Sequence, residues 1–368
     1  MKKNKIGQND LSWCGSGKKS GKKYKRCHLN TDKEKLIKPY EIENQLKKSF
    51  SKKYCSVPND LKQSCKGSII RAHTVSKKFL KIIEKDGQVY GFSKFTFFDM
   101  VNSKGVIEPK LIGVNQASTF TGFCKKHDKE LFSAIEDGTI SLNKKTVFFL
   151  GYRTVARESF LKNCQYDHCV RMKKLAQRIA KKYELGVKLS KRGVDFHKEK
   201  FDQLLINKNF DEMHGYCIVF NEVIPLLCSS AIFFEIDFKG NLWLNLCFPD
   251  KSIPSIICFN SFIDKKKSYF LFSWNNYSNR IARKFIELID DLSEPDLTAF
   301  LIKFQFSFCE NIYFNPSWFN GLHDKQKKYL IDLFNNILYP LYINRKNMLW
   351  NDHVLSEEVW NVIEKVWI

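Results

Sequence analysis

The stretch Phe123-Cys124-Lys125-Lys126-His127-Asp128 decides the fold of the N-terminal half, because it joins a strand-like run to a helix-like run. After it, Leu131, Phe132 and Ile135 recur at helical spacing and would share one apolar face. Cys124 and His127 are three residues apart, so both side chains would lie at the mouth of this helix. Thiolate and imidazole groups placed in this way are typical ligands of a transition metal.

A second pair of cysteines precedes this helix. Cys55 and Cys65 flank a polar loop, and a short apolar run then leads to His73. Together with Cys124 and His127, the two thiols would complete a Cys₃His set, which is typical of structural Zn²⁺ sites. Buried thiols beside an unrelated surface histidine are the alternative interpretation. The pattern predicts a zinc-stabilised module over about residues 40–140.

The order of ligand loop, strand, histidine and ligand-bearing helix resembles the HNH (ββα-metal, treble-clef) endonucleases over residues 55–135. This resemblance implies that His73 is a general base for phosphodiester hydrolysis, with Asn115 and Asp128 beside Mg²⁺ or another divalent ion. Ala72 stands where the family usually has an acidic residue or a second histidine, and Asp128 replaces a histidine. A structural role for His73 is the alternative.

The N-terminal segment contains two further soft-ligand runs, Trp13-Cys14-Gly15-Ser16-Gly17-Lys18-Lys19 and Lys23-Tyr24-Lys25-Arg26-Cys27-His28. It has too few apolar side chains to build a core, so its order would come from a bound ion. Residues 9–28 resemble the SEC-C zinc motif of bacterial proteins, which implies Cys14, Cys27 and His28 as zinc ligands. Ser12 stands where that motif has its first cysteine. A basic arm that binds no metal is the alternative interpretation.

The positive charge of the chain is concentrated at its front. The formal net charge is +22, and residues 1–100 hold 24 Lys or Arg against 9 Asp or Glu, a surplus of 15. The remaining 268 residues have a surplus of only 7. An uneven basic surplus predicts a polyanionic partner such as nucleic acid, or an acidic protein. The predicted polyanion-binding side chains are Lys18, Lys19, Lys22, Lys23, Lys25 and Arg26.

The C-terminal part, residues 150–368, has the pattern of an α/β (α+β) domain. Helical spacing predicts helices over 153–185, 195–210, 278–292, 296–306, 316–338 and 356–367. Runs rich in Ile, Phe and Val predict strands over 216–220, 231–236, 242–248, 255–262 and 268–274, which would form a largely antiparallel sheet. The predicted domain organisation is therefore a basic zinc arm over 1–30, a zinc-stapled module over 40–140, and this domain.

The sequence gives no sign of a signal peptide or a membrane span, so we expect a cytoplasmic protein. Its 12 cysteines should then be reduced, as metal ligands or as small core residues. These features fit two functions. We expect a zinc protein that docks on a polyanionic or acidic partner, and the alternative is an HNH-like endonuclease acting in defence against foreign DNA.

Overall fold

In the computed structural model, the described residues are Lys23 and the ranges 39–92, 105–136, 140–173, 177–233, 253–338, 353–355 and 358–368. Apart from Lys23, the predicted N-terminal arm lies outside them, as does the predicted strand over 242–248.

The protein is a mixed helix and strand structure built around a largely antiparallel sheet, as its sequence predicts. The strands are β1 Ile69–His73, β2 Gln88–Gly91, β3 Lys110–Gly113, β4 Thr119–Cys124, β5 Met213–Phe220, β6 Leu226–Phe233, β7 Ile256–Asp264, β8 Lys267–Asn275, β9 Ile312–Phe314 and β10 Val362–Trp367. Eight of them form one sheet in the order β10-β5-β8-β7-β6-β9-β2-β3. Each neighbouring pair in this sheet is antiparallel.

Helices cover both faces of the sheet. They are α1 Pro39–Phe50, α2 Asn59–Lys62, α3 Lys77–Ile83, α4 Lys125–Glu136, α5 Lys144–Lys173, α6 Gln177–Asn207, α7 Asn279–Asp290, α8 Glu294–Phe308, α9 Pro316–Gly321 and α10 Asp324–Leu338. One face packs against α5, whose Val147 and Val155 are fully buried. The other face packs against α7 and α8 through Phe285 and Phe304, both also fully buried.

The remaining two strands form a separate antiparallel pair that carries the predicted ligand helix. β1 pairs with β4, and the register places Ile70 opposite Phe123 and His73 opposite Thr119. Helix α4 begins at Lys125, directly after β4 ends at Cys124. The chain therefore has a ββα unit at the position that the sequence predicts.

The strongest local patterns predict the elements of the C-terminal part correctly. Strands β5, β7 and β8 cover the predicted runs 216–220, 255–262 and 268–274, apart from Ser255. The predicted helix start at residue 316 is also correct, and Asn315 caps it, because its side-chain oxygen accepts a hydrogen bond from the backbone N–H of Trp318 at 2.8 Å.

Two helix predictions are wrong, and the helix predicted over 316–338 is divided into α9 and α10. The first ended a helix at Leu185, whereas α6 passes through this residue and Gly186 and continues to Asn207. A glycine inside a helix costs only about 1 kcal/mol, and the packing of α6 along α5 offsets this cost. The second placed a helix over 356–367, whereas residues 362–367 form β10. This segment has β-branched and aromatic side chains and finds a partner in β5, which lies far away in the sequence.

The large sheet and its core join the two halves of the chain. Strands β2 and β3, from residues 88–113, belong to the same sheet as the strands from residues 213–367. One continuous apolar core contains Phe123 and Phe132 together with Cys258 and Leu271. This core therefore contains residues from both sides of the boundary that the sequence predicts between the zinc-stapled module and the C-terminal domain, at residues 140–150. Among the described residues, no helix is both long enough and apolar enough to cross a membrane.

Candidate metal centre

Backbone hydrogen bonds bring the loop that contains the first two cysteines alongside β4 and α4. The N–H of Ser56 donates to the carbonyl of Gly122 at 2.7 Å, which fixes Cys55 beside the end of β4. Past α2, the N–H of Lys125 donates to the carbonyl of Ser68 at 3.1 Å, which holds the chain after Cys65 at the start of α4. Both loop cysteines are therefore held close to the first turn of α4.

The four predicted ligands of this module converge on one point. The Nδ1 atom of His127 lies 3.5 Å from the Sγ of Cys55, 3.5 Å from that of Cys65 and 3.3 Å from that of Cys124. All four ligand atoms lie within 4.8 Å of one another. A tetrahedral site with Zn–S bonds of about 2.3 Å and a Zn–N bond of about 2.0 Å requires N to S separations of roughly 3.5 Å. This cluster could therefore hold a metal ion.

Ser64 fixes which nitrogen of His127 faces the thiols. The Ser64 hydroxyl donates its hydrogen to the carbonyl of Leu61 at 2.8 Å, and its oxygen lies 2.9 Å from His127 Nε2. Because the hydroxyl hydrogen is already used, the oxygen must accept from Nε2–H. The lone pair of the neutral ring then lies on Nδ1, the atom that faces the three sulfurs. A hydrogen bond of this kind to the distal nitrogen is common in metal-binding histidines.

Burial and backbone N–H groups change the pKa values of the three thiols in the cluster. Burial raises the pKa of the Cys55 thiol and that of the Cys65 thiol. Burial also opposes ionisation of Cys124, but backbone N–H groups of His127 and Lys66 lower the pKa of this thiol. The ligand form of cysteine is the thiolate, so a bound cation would have to displace these protons, and its positive charge would balance the three thiolates.

The predicted N-terminal zinc ligands, Cys14, Cys27 and His28, lie outside the described residues. So do most of the predicted polyanion-binding side chains, namely Lys18, Lys19, Lys22, Lys25 and Arg26. Lys23 is described, and it is exposed. The SEC-C-like arm therefore stays a prediction.

The three residues of the nuclease hypothesis lie on the ββα unit and its preceding turn. His73 is at the end of β1, where its Nε2–H donates to the carbonyl of Val114 at 3.1 Å. Burial lowers the pKa of this imidazole. Asn115 follows Val114 in the turn before β4 and is exposed. Asp128 lies in the first turn of α4 and is half-buried.

Arg153, a residue that sequence reasoning missed, occupies the space next to Asp128. Its guanidinium, on a side chain that is only 2% exposed, lies 3.3 Å from the carboxylate of Asp128 and 2.8 Å from that of Glu136. It also stacks over the ring of Phe132 at 4.3 Å. The sequence offered one signal that this arginine is buried and paired, namely its position within the apolar run at the start of α5. Within the described ranges, Asp128 and His73 do not belong to any cluster of convergent metal ligands.

No family model matches the chain, and neither a curated protein nor a solved structure matches it significantly.

Proposed function

We propose that the chain is a zinc protein that docks on a polyanionic partner, with nucleic acid as the first candidate and an acidic protein as the second. Zn²⁺ would be held by Cys55, Cys65, Cys124 and His127, which fit a tetrahedral site. The observation that carries the proposal is the approach of three sulfurs to within 3.5 Å of one imidazole nitrogen. In this role the ion is structural, because a closed set of four protein ligands leaves no position for substrate.

Exposed basic side chains surround this cluster and support a polyanion-binding surface. Lys66 follows the ligand Cys65, Arg71 lies on β1, and Lys125 and Lys129 lie one turn apart at the start of α4. The metal would fix the positions of these charges by joining the loop to the helix. The lysine-rich segment 18–26 would extend the same basic region in sequence, and its charge is the larger part of the expected contact.

Charge reversal in the N-terminal segment tests the docking proposal. We expect a variant with Lys22, Lys23, Lys25 and Arg26 changed to Glu to bind duplex DNA more weakly. Each lost phosphate contact should flatten the slope of log affinity against log salt by roughly 0.9. Fluorescence anisotropy at several salt concentrations measures both quantities.

The matched control carries the same charge change on four exposed lysines elsewhere in the chain, at Lys145, Lys265, Lys266 and Lys325. If both variants lose affinity and salt dependence equally, the N-terminal segment is not the contact surface. If wild type binds neither DNA nor an acidic polypeptide such as polyglutamate, the docking function is wrong.

An HNH-like endonuclease is the second candidate, and the order β1, β4, α4 with His73 at the end of the first strand favours it. Under this hypothesis, wild type nicks plasmid DNA in the presence of Mg²⁺, and His73→Ala abolishes nicking without changing the zinc content. The engagement of Asp128 by Arg153 weighs against it, since an ion-paired carboxylate is a poor metal ligand. Absence of nicking by zinc-loaded wild type would eliminate this candidate.

A further inference from the structure

A cleft lies next to the metal centre and plays no part in the proposed function. It has a volume of about 440 Å³ and opens between residues 54–62 on one side and helices α5 and α6 on the other. This volume lies within the range of small-ligand sites in proteins. Cys55 contributes to the wall, so the cleft and the four-ligand cluster are neighbours without being one site.

The floor of the cleft is closed by a buried ion pair. Lys198 is only 8% exposed, and its Nζ lies 2.5 Å from a carboxylate oxygen of Asp202. It also donates to the hydroxyl of Tyr152 at 3.3 Å, and that hydroxyl donates to the same Asp202 oxygen at 2.9 Å. The ammonium of Lys198 is therefore neutralised by Asp202, and this part of the floor carries no net charge.

Three other groups at the cleft have no partner within the described ranges. Ser56 is 8% exposed and lines the cleft, yet its hydroxyl oxygen is buried without a hydrogen bond. A buried hydroxyl that makes no hydrogen bond is costly, so such a group at a cleft wall points to a ligand. At the rim, the carboxylates of Asp60 and Glu199 are exposed and lack an ion pair among the described residues.

The balance of charge favours a cationic ligand. The lining residues include three carboxylates (Asp60, Glu199 and Asp202) against two ammonium groups, on a chain whose net charge is +22. Of the two lysines, Lys198 is paired with Asp202, and Lys62 donates to the side-chain oxygen of Asn59 at 2.7 Å. The rim carboxylates therefore have capacity for a cation from outside.

We infer that this cleft binds an alkylammonium or guanidinium group. The positive head would pair with Asp60 and Glu199, and the Ser56 hydroxyl would accept one of its hydrogens. Val57, Pro58 and Ile206 line the same cleft and would contact the methylene chain of the ligand. A free polyamine and a lysine or arginine side chain of a basic peptide share this chemistry. The lysine-rich segment 16–26 of this chain is one such peptide.

Calorimetric titration of the full-length chain tests the inference with three probes. Spermidine represents the free polyamine, and a synthetic peptide of residues 16–26 represents the basic segment. n-Butanol is the uncharged counterpart of an alkylammonium and should not bind. We expect at least one of the two cationic probes to bind. Changing Asp60→Asn and Glu199→Gln together should weaken that binding roughly tenfold or more, because charge-assisted hydrogen bonds are lost. The single change Ser56→Ala should weaken it by a smaller factor.

The matched control is the double variant Glu108→Gln and Asp211→Asn, which removes two exposed carboxylates outside the cleft. It should bind the probes like wild type. Stronger binding of the peptide would identify basic segments as the source of the ligand, and stronger binding of spermidine would identify polyamines. If neither cation binds, or if both double variants lose affinity equally, the inference is wrong.

Discussion

At the scale of single residues, the four members of the cluster were predictable and their supporting partners were not. Cys55, Cys65, Cys124 and His127 are soft ligands in two pairs, so their types and spacings are visible in the sequence. Ser64 contacts the imidazole of His127, and Arg153 pairs with the carboxylate of Asp128. Both partners lie far from them in the sequence. Nothing in their local sequence indicates these partners.

His197 gives the protein a defined response to acid. It is fully buried among aromatic rings, its Nε2–H donates to the carbonyl of Pro254 at 2.7 Å, and its Nδ1 makes no hydrogen bond in the described part of the chain. Burial lowers the pKa of this imidazole from 6.5 to about 4. The folded state therefore keeps the ring neutral between these pH values, where the unfolded chain would protonate it.

It follows that the free energy of unfolding falls as the pH decreases from about 6.5 towards 4, by up to about 3 kcal/mol from this residue. We expect His197→Gln, which cannot be protonated, to flatten this decline in urea titrations at several pH values. His323→Gln, a change at an exposed histidine, serves as the control. Equal pH slopes for wild type and His197→Gln would disprove the assignment.

At the scale of helices and strands, two glycines of the long helices, Gly151 and Gly186, have different surroundings. A side-chain carbon at Gly186 of α6 would meet no atom within 4 Å, whereas one at Gly151 of α5 would lie 3.1 Å from Phe201 and 3.2 Å from Ser273. The space around Gly186 would therefore admit a side chain, whereas Gly151 is required by the close approach of α5 to its neighbours.

Replacing each glycine by alanine measures this difference. Gly186→Ala should raise the free energy of unfolding by about 1 kcal/mol, because alanine favours the helix and nothing obstructs it. Gly151→Ala should lower the free energy of unfolding by about 1–3 kcal/mol, because the added carbon overpacks the core. Denaturant titration compares the two variants, and stabilisation by both changes would show that the packing around Gly151 is looser than described.

Local pattern predicted some elements and failed for others for a physical reason. Strands β5, β7 and β8 were recognisable because each is a long, almost continuously buried run of apolar and aromatic side chains, so residue preference and burial agree. For β10, the pairing with β5 overrides a helical spacing, and that pairing joins residues more than a hundred positions apart. The helix end predicted before Gly186 was wrong for a similar reason, because the packing of α6 on α5 outweighs the low helix propensity of glycine.

At the scale of the whole molecule, the Cys₃His cluster and the large sheet share one apolar core. Helix α4 carries His127 and begins directly after Cys124, and its Phe132 and Ile135 pack into the same core as the residues of β7 and β8. Loss of a metal ion from the cluster would release residues 54–66 from α4 and expose that part of the core. The basic surface of the proposed docking function would lose its fixed arrangement at the same time.

The most direct test of this account is the zinc content per chain, measured by elemental analysis on wild type and on Cys124→Ser. We expect the variant to lose one zinc ion relative to wild type, while Cys169→Ser, a change at a buried cysteine outside the cluster, keeps the wild-type content. The central claim is that a metal ion bound by the cluster stabilises this fold. Purified wild-type protein that contains no transition metal and still unfolds cooperatively would contradict it.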